Sequence, residues 1–249
     1  MTNARNDTFW VVIPARYGST RLPGKPLLDI GGKPMIRHVW ERAGESKAAR
    51  IIIATDDDRI RIACMEFGAE VCMTSDACES GTDRLAEVVA AEGAADDLVV
   101  VNIQGDEPLM PAENIDQVAA LAQRGDTDIA TLCVPIQSKE EFANPNVVKC
   151  VLGEEDRAVY FSRSPVPHDR EDAAGFGHAF RHLGIYAYTV GALKEFSAMP
   201  PSRIEQLERL EQLRALAAGM SIRAQVAGRT PPHGVDTEAD LELVRQQLG

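Results

Sequence analysis

Long apolar runs are missing from these 249 residues. No stretch approaches the ~20 consecutive apolar residues that a membrane helix needs, and no apolar run of signal-peptide length follows Arg5. A cytoplasmic location without a membrane partner is expected. Paired cysteines are missing too. Cys64, Cys72, Cys78, Cys133 and Cys150 are odd in number, include no Cys-x-x-Cys pair and mostly sit within apolar patterns, so core packing is their expected role. Positive charge is scarce. With 26 Lys+Arg against 38 Asp+Glu, a formal net charge of -12, the chain lacks the basic face whose displaced counterions drive general nucleic-acid binding. No nucleic-acid partner is expected. Repeats and low-complexity segments are absent as well. A chain of this length with 45% hydrophobic residues has material for one large domain, or for a domain with a substantial insertion.

Against that acidic background the most informative gap is local. From Thr8 to Leu28 there is no acidic side chain, and Arg16, Arg21 and Lys25 all fall inside. The stretch follows the strand-like Val11-Val12-Ile13 and continues Pro14-Ala15-Arg16-Tyr17-Gly18-Ser19-Thr20-Arg21-Leu22-Pro23-Gly24-Lys25-Pro26. Held against its own repulsion, such a cluster is expected to bind an anion, phosphate first of all. Its prolines and glycines argue for a loop of fixed shape. The dinucleotide fingerprint fails, because Gly18, Gly24, Gly31 and Gly32 lack its spacing. The P-loop nearly fits. Five residues instead of four separate Gly18 from Gly24, and Pro26 stands where a magnesium-binding hydroxyl belongs, so a metal must be held from elsewhere. What remains is an open cationic loop gripping a triphosphate with Arg16, Lys25 and backbone N–H groups.

β-branched runs near residues 9–13, 51–54, 70–73 and 98–103 alternate with helical patterns near 34–47, 57–67, 82–92 and 111–123. This rhythm predicts an α/β fold of Rossmann-like kind, with a mainly parallel sheet and ligands at the strand C-terminal ends. After the run 129–135 it changes. Residues 147–152 and 157–161 flank a turn-like Gly153-Glu154-Glu155-Asp156 and predict a hairpin, and a strand over 183–190 follows a loop rich in Pro, Asp and Gly. The expected division is an α/β core of residues 1–135 and 200–249 with an inserted, smaller antiparallel region, 136–199. A helix over about 202–218, a strand over 221–226 and a helix over about 238–248 complete the core. Leu207, Leu210, Leu213 and Leu216 recur every third residue on the first of these helices. That spreads apolar groups around its cylinder, so a homodimer built partly from the inserted region is expected.

Several polar residues have two readings. Asp106, in Gln104-Gly105-Asp106-Glu107-Pro108 after an apolar strand, suits magnesium, which takes one or two protein carboxylates and fills its shell with phosphate oxygens and water. It also suits a turn that caps its own backbone. Asp236, in Val235-Asp236-Thr237-Glu238-Ala239-Asp240, reads as a helix start with Asp236 or Thr237 as N-cap. Glu211 shares a helical face with Ile204 and Leu207, where a carboxylate is costly unless it is paired, functional or at the rim. His182 and Tyr186 fall on one face of a strand. Arg163 serves either an anionic substrate or a hairpin salt bridge.

In Ile13-Pro14-Ala15-Arg16 with Arg21-Leu22-Pro23-Gly24-Lys25-Pro26, the chain resembles the sugar-activating nucleotidyltransferases. The ordered series Ala54-Thr55-Asp56, Ser80-Gly81-Thr82-Asp83-Arg84-Leu85, Asn102-Ile103-Gln104-Gly105-Asp106-Glu107-Pro108, Tyr160-Phe161-Ser162-Arg163, Arg181-His182-Leu183-Gly184-Ile185-Tyr186, Leu210-Glu211-Gln212-Leu213-Arg214 and Gly234-Val235-Asp236-Thr237 narrows the resemblance. It points to the 3-deoxy-D-manno-octulosonate cytidylyltransferases, the CMP-Kdo synthetases. That resemblance implies CMP transfer from CTP to the octulosonate for lipopolysaccharide biosynthesis, with Mg2+ as cofactor. It assigns Arg16, Lys25 and Asp106 to catalysis. Arg16, Ser19, Lys25, Ser80, Gly81 and Gln104 would hold the nucleotide, and Asp106 with Asp236 the metal. Arg163, His182, Tyr186, Glu211 and Gln212 would hold the sugar. A glycosyltransferase usually carries an Asp-x-Asp pair, which Asp106-Glu107 does not supply, and a non-catalytic nucleotide sensor would not need both carboxylates and the loop lysine.

Overall fold

The computed structural model describes residues 8–18, 22–172 and 175–248. From the amino end, β1 (Phe9–Ala15) leads through a hairpin of β2 (Asp29–Ile30) and β3 (Lys33–Pro34) into α1 (Met35–Gly44). Then come β4 (Arg50–Thr55), α2 (Asp58–Glu66), β5 (Glu70–Met73), α3 (Gly81–Ala91), β6 (Val99–Ile103), α4 (Ala112–Gln123) and β7 (Ile129–Pro135). The expected strand and helix alternation is present throughout this part. The next stretch runs α5 (Lys139–Ala143), β8 (Lys149–Leu152), β9 (Ala158–Ser162), β10 (Phe180–Thr189) and α6 (Val190–Ser197). The chain closes with α7 (Arg203–Glu208), α8 (Gln212–Ala217), β11 (Ile222–Val226) and α9 (Glu238–Leu248).

Runs rich in β-branched residues, such as Val-Val-Val-Asn-Ile in β6, suit strands covered on both faces, which is where parallel strands lie. The main sheet has the order β11-β7-β10-β6-β1-β4-β5. β1 pairs in parallel with β4 and β6, β4 with β5, and β7 with β11. Alternate side chains divide between two cores. Val11, Ile13 and Val101 face α1 and α4 through Ile36, Val39 and Ile115, while Val12, Ile52 and Val100 face α3, α6 and α8 through Leu85, Phe196 and Leu213. A third cluster joins Leu22, Ile30 and Met35 to Val235, Leu241 and Val244. It folds the carboxyl-terminal helix over the loop that follows β1.

Two elements differ from the sequence reading. The strand expected inside the insertion, β10, lies within the main sheet, antiparallel to β6 and β7 on its two sides, while β8 and β9 extend from it as the expected hairpin. Leu183, Ile185 and Ala187 belong to one core and Tyr188 to the other, so both faces of β10 are covered. Running opposite to its neighbours, it brings its amino-terminal residues to the end where β6 and β7 finish. The single helix expected over 202–218 is instead two. Arg209 adopts a left-handed conformation (φ 53, ψ 48) between α7 and α8. The break is stabilised from outside, because Arg163 donates from Nε to the Glu208 carbonyl at 2.7 Å and from Nη2 to the Arg209 carbonyl at 3.3 Å. Leu210 and Leu213 then share one core and Leu207 is left 74% exposed. The face that Glu211 was expected to share with Leu207 does not exist.

Candidate active site

The loop lysine and the two remote carboxylates meet. Gly24, at φ 65, takes a conformation that only glycine adopts readily, and it packs against the Tyr17 ring. That turn sets Lys25 at the start of a short 3-10 turn. Its Nζ donates to Asp106 Oδ2 at 2.8 Å, to the Val235 carbonyl at 2.7 Å and to Asp236 Oδ1 at 3.4 Å. Asp106 arrives just past the end of β6, and its backbone carbonyl accepts from Val235 N at 2.9 Å. The ambiguity at Asp236 is resolved by its neighbours. Asp240 Oδ2 accepts from the backbone N of Thr237 at 2.8 Å and of Asp236 at 3.1 Å, while Thr237 Oγ1 accepts from Asp240 N at 3.3 Å. Thr237 and Asp240 thus form the reciprocal cap of α9, and the Asp236 side chain is turned to Lys25.

Beside this triad opens a cleft of about 720 Å³ whose lining includes Asp106, Glu107, Arg163, Arg181, His182, His233 and Asp236. The Glu107 carboxyl is pushed up to about 8 by burial and by Asp106 alongside, with Arg181 opposing the rise. Gly234 passes so close that an added Cβ would lie 2.7 Å from Glu107 Oε1 and 3.2 Å from the Asp106 carbonyl. Arg181, 8% exposed, stands 3.3 Å from Glu141 through Nε. It donates to His233 Nδ1 at 3.3 Å and to the Pro231 carbonyl at 3.4 Å. Because arginine can only donate, His233 Nδ1 is an acceptor and the ring is neutral. Arg163 lines the cleft, yet its guanidinium also reaches the carbonyls of Glu208, Arg209 and Pro145.

A second group gathers at the amino end of α3. Ser80 caps that helix in a reciprocal box with Asp83, and Gly81, the first helical residue, lies against Pro14 and Gln104. Gln104 donates to Asn102 Oδ1 at 3.1 Å. Glu211 Oε2 accepts from Thr82 Oγ1 at 3.0 Å, while its Oε1 is buried without a hydrogen-bond partner. Burial raises the Glu211 pKa against the lowering effect of Ser80 and Thr82. Gln212 is buried as the first residue of α8. Arg16 is exposed just beyond β1, and Ser19 lies outside the described residues.

His182 and Tyr186 share a strand face as expected, with ring centroids 5.2 Å apart. Thr131 Oγ1 donates to the Ile185 carbonyl at 2.7 Å, so its 2.9 Å contact to His182 Nε2 requires the ring to donate. His182 Nδ1 is then an acceptor. Burial, with Arg181 alongside, depresses the His182 pKa to about 3, and burial raises that of Tyr186 well above its usual value. An unfolded chain takes up a proton on this histidine as pH falls through about 6.5, whereas the folded protein resists until about 3. Stability is therefore lost on acidification, by at most about 1.4 kcal/mol per pH unit from this group. In urea melts between about pH 7 and pH 5, His182→Gln, which keeps a donor for Thr131, should lose less stability than the parent protein. Equal losses would show that His182 is not held neutral.

Glu107, Arg181, His233 and Gly234 are site residues that the sequence reading did not assign. Glu107 and Arg181 had a signal in their adjacency to Asp106 and His182. Gly234 opens the motif that holds Asp236, and His233 had no signal beyond standing just before it. The cysteines are all free thiols; Cys64, Cys133 and Cys150 are buried, and Cys72 and Cys78 are partly so.

Residues 10–222 match the family described as Cytidylyltransferase. The chain is 52% identical over 247 residues to 3-deoxy-manno-octulosonate cytidylyltransferase 1 of Actinobacillus pleuropneumoniae serotype 5b (strain L20), covering 96% of this chain and 99% of that protein. It is also 52% identical over 247 residues to the 3-deoxy-manno-octulosonate cytidylyltransferase of Thioalkalivibrio sulfidiphilus (strain HL-EbGR7), covering 97% and 99%. Among solved structures, CMP:2-keto-3-deoxy-manno-octonic acid synthetase complexed with CTP superposes with a TM-score of 0.88 at 46% identity, over 96% of this chain and 98% of that one. A 4-diphosphocytidyl-2C-methyl-D-erythritol synthase shares the fold at 14% identity and a TM-score of 0.65, over 97% and 99%. The chain belongs to the cytidylyltransferase family, in the group of the 3-deoxy-manno-octulosonate cytidylyltransferases.

Proposed function

We infer that this protein transfers CMP from CTP to 3-deoxy-D-manno-octulosonate and releases pyrophosphate, activating the sugar acid for lipopolysaccharide assembly. The observation that carries the reading is the meeting of Lys25 with both Asp106 and Asp236 at the edge of the large cleft. The anomeric oxygen attacks the α-phosphorus, the new P–O bond forms in line with the departing bridge oxygen, and the hydroxyl proton is released. Such a reaction is accelerated mainly by positioning and charge neutralisation. Arg16 and Lys25 hold the triphosphate and offset charge on the leaving pyrophosphate. Ser80, Gly81 and Gln104 hold the nucleotide beside the amino end of α3. Glu211 would accept hydrogen bonds from sugar hydroxyls, and Gln212 would donate to and accept from them. His182, which lines the cleft, would add a neutral acceptor through Nδ1, with the Tyr186 ring tilted against its own.

The donor set suits magnesium. Asp106 and Asp236 converge on one ammonium, a position that a small cation would share, and two carboxylates match what Mg2+ takes from protein. Among the described residues no group of three or more His, Cys, Asp or Glu forms a complete metal cage, so phosphate and water must complete the shell. Asp106 and Asp236 would hold the ion; when bound, it neutralises phosphate charge and acidifies a hydroxyl. Pyrophosphate release from CTP with this sugar acid, compared with N-acetylneuraminate and with no acceptor, tests the assignment. Release is expected with the octulosonate, and it should fall to background with EDTA and return with excess Mg2+. Turnover with neuraminate alone would overturn the substrate, and undiminished turnover in EDTA would overturn the metal.

The same reading includes a homodimer in the cytoplasm. Val159 on β9 is 57% exposed and Leu207 on α7 is 74% exposed, which supports a covering copy. Light scattering should give about twice the chain mass of 27.1 kDa; a monomer at micromolar concentration would contradict it. Among the described residues no helix is long and apolar enough to cross a membrane.

A further inference from the structure

Lys25 presents a conflict within that reading. An ammonium has three N–H donors, and here they face three acceptors, Asp106 Oδ2 at 2.8 Å, the Val235 carbonyl at 2.7 Å and Asp236 Oδ1 at 3.4 Å. The side chain is 12% exposed. While these contacts hold, Lys25 has no donor left for a phosphate oxygen, and the two carboxylates have a cation already. Its contact with a triphosphate and its contact with the carboxylate pair exclude each other.

We propose that Lys25 is the resident counter-ion of Asp106 and Asp236 in the nucleotide-free protein, and that the triphosphate draws it away and so opens the carboxylates to the divalent cation. The proposal rests on the reading that Asp106 and Asp236 hold that cation. Three features support the exchange. The Val235 carbonyl is fixed by packing of the Val235 side chain against Leu22, Ile30 and Met35, so the acceptors are built in place. Asp106 and Asp236 are tied together through the backbone bond from Val235 N to the Asp106 carbonyl, so the pair persists when the ammonium leaves. Lysine, a point charge on a flexible four-carbon stem, can swing between two anions without backbone movement.

Metal and nucleotide are consequently coupled. Nucleotide removes the competing ammonium, so it strengthens metal binding, and by linkage the metal strengthens nucleotide binding by the same factor. Without nucleotide the metal must displace an ammonium that has every donor satisfied.

Mn2+ serves as the probe, its free concentration read by electron paramagnetic resonance, with an α,β-methylene analogue of CTP so that no turnover occurs. For the parent protein, the analogue is expected to tighten Mn2+ binding by roughly tenfold or more, within the usual range of such couplings. Lys25→Met removes the competitor. It should bind Mn2+ without nucleotide roughly tenfold tighter than the parent protein, and the analogue, whose phosphate oxygens can join the metal shell in either protein, should tighten it by a smaller factor than in the parent. This is a gain of binding, which misfolding does not produce; Lys25→Gln provides a second, more polar variant. If neither variant binds Mn2+ alone more tightly than the parent does, while the parent still binds it with the analogue, the exchange is overturned. Asp106→Asn separates the underlying reading. If that variant keeps the parent's Mn2+ affinity with the analogue, the carboxylates are not the metal site and the proposal falls with them.

Discussion

Asparagine in place of Asp106 is expected to lower kcat by about three orders of magnitude, the scale of loss when a charge-stabilising group is removed from a reaction centre. The substitution keeps the shape of the side chain and an oxygen for Lys25, but it removes one of the two negative charges that would hold the cation. The fold should barely notice. The Asp106 side chain is 34% exposed, and its pair with Lys25 is of the kind worth about 0–1 kcal/mol. Its structural bond, from Val235 N, goes to the backbone carbonyl and survives. A shift in Tm of no more than roughly 4 °C follows. Steady-state pyrophosphate release and a thermal melt on the same preparation make the check. A kcat within about tenfold of the parent would remove Asp106 from the reaction centre.

What makes Asp106 and Lys25 legible in the sequence is that each follows a buried parallel strand, and such strands announce themselves by short runs rich in β-branched residues. β10 was harder to place. Its alternation is that of any half-covered antiparallel strand, and nothing local says whether it pairs in a hairpin or between β6 and β7. The break between α7 and α8 is less legible still. Residues 203–217 carry a helical pattern, and the left-handed Arg209 is stabilised by Arg163, which lies 45 residues from Glu208 in sequence. Glu208 in turn accepts from Ser162 Oγ at 2.7 Å and from Arg163 N at 2.9 Å. A turn made by contacts from another hairpin leaves no trace in its own propensities. Asp236 stands between these cases. Thr237 with Asp240 is a readable cap signature, but only the packing of Val235, Leu241 and Val244 brings Asp236 back to Lys25.

Replacing Arg84 with methionine should have the largest effect on stability. Arg84, 4% exposed, is buried between α3 and the segments that end β4 and β5. It donates to Asp56 Oδ2 at 2.6 Å, to Thr74 Oγ1 at 2.7 Å and to the Ser75 carbonyl at 3.3 Å. Methionine fills much of the volume and satisfies none of these. Breaking a buried pair by removing one partner costs about 3–5 kcal/mol, because the remaining charge stays in the low-dielectric interior. Asp56, with 21% of its side chain exposed, regains some water, so the loss should fall near the low end of that range. At roughly 2–4 °C per kcal/mol for a chain of this size, the Tm should drop by about 6–12 °C. Function should suffer as well, since α3 carries Ser80, Gly81 and Thr82, and a loosened helix should raise KM for CTP more than it lowers kcat. Arg84→Lys should fall between the two proteins, because an ammonium keeps the charge but loses the planar fork that reaches three acceptors at once. Arg84→Met with Asp56→Asn gives the sharper measurement. If the burden is the stranded Asp56 charge, the double variant is more stable than Arg84→Met alone. Additive losses in that pair, or a Tm drop below about 2 °C for Arg84→Met, would mean that Arg84 does not brace the nucleotide side of the sheet.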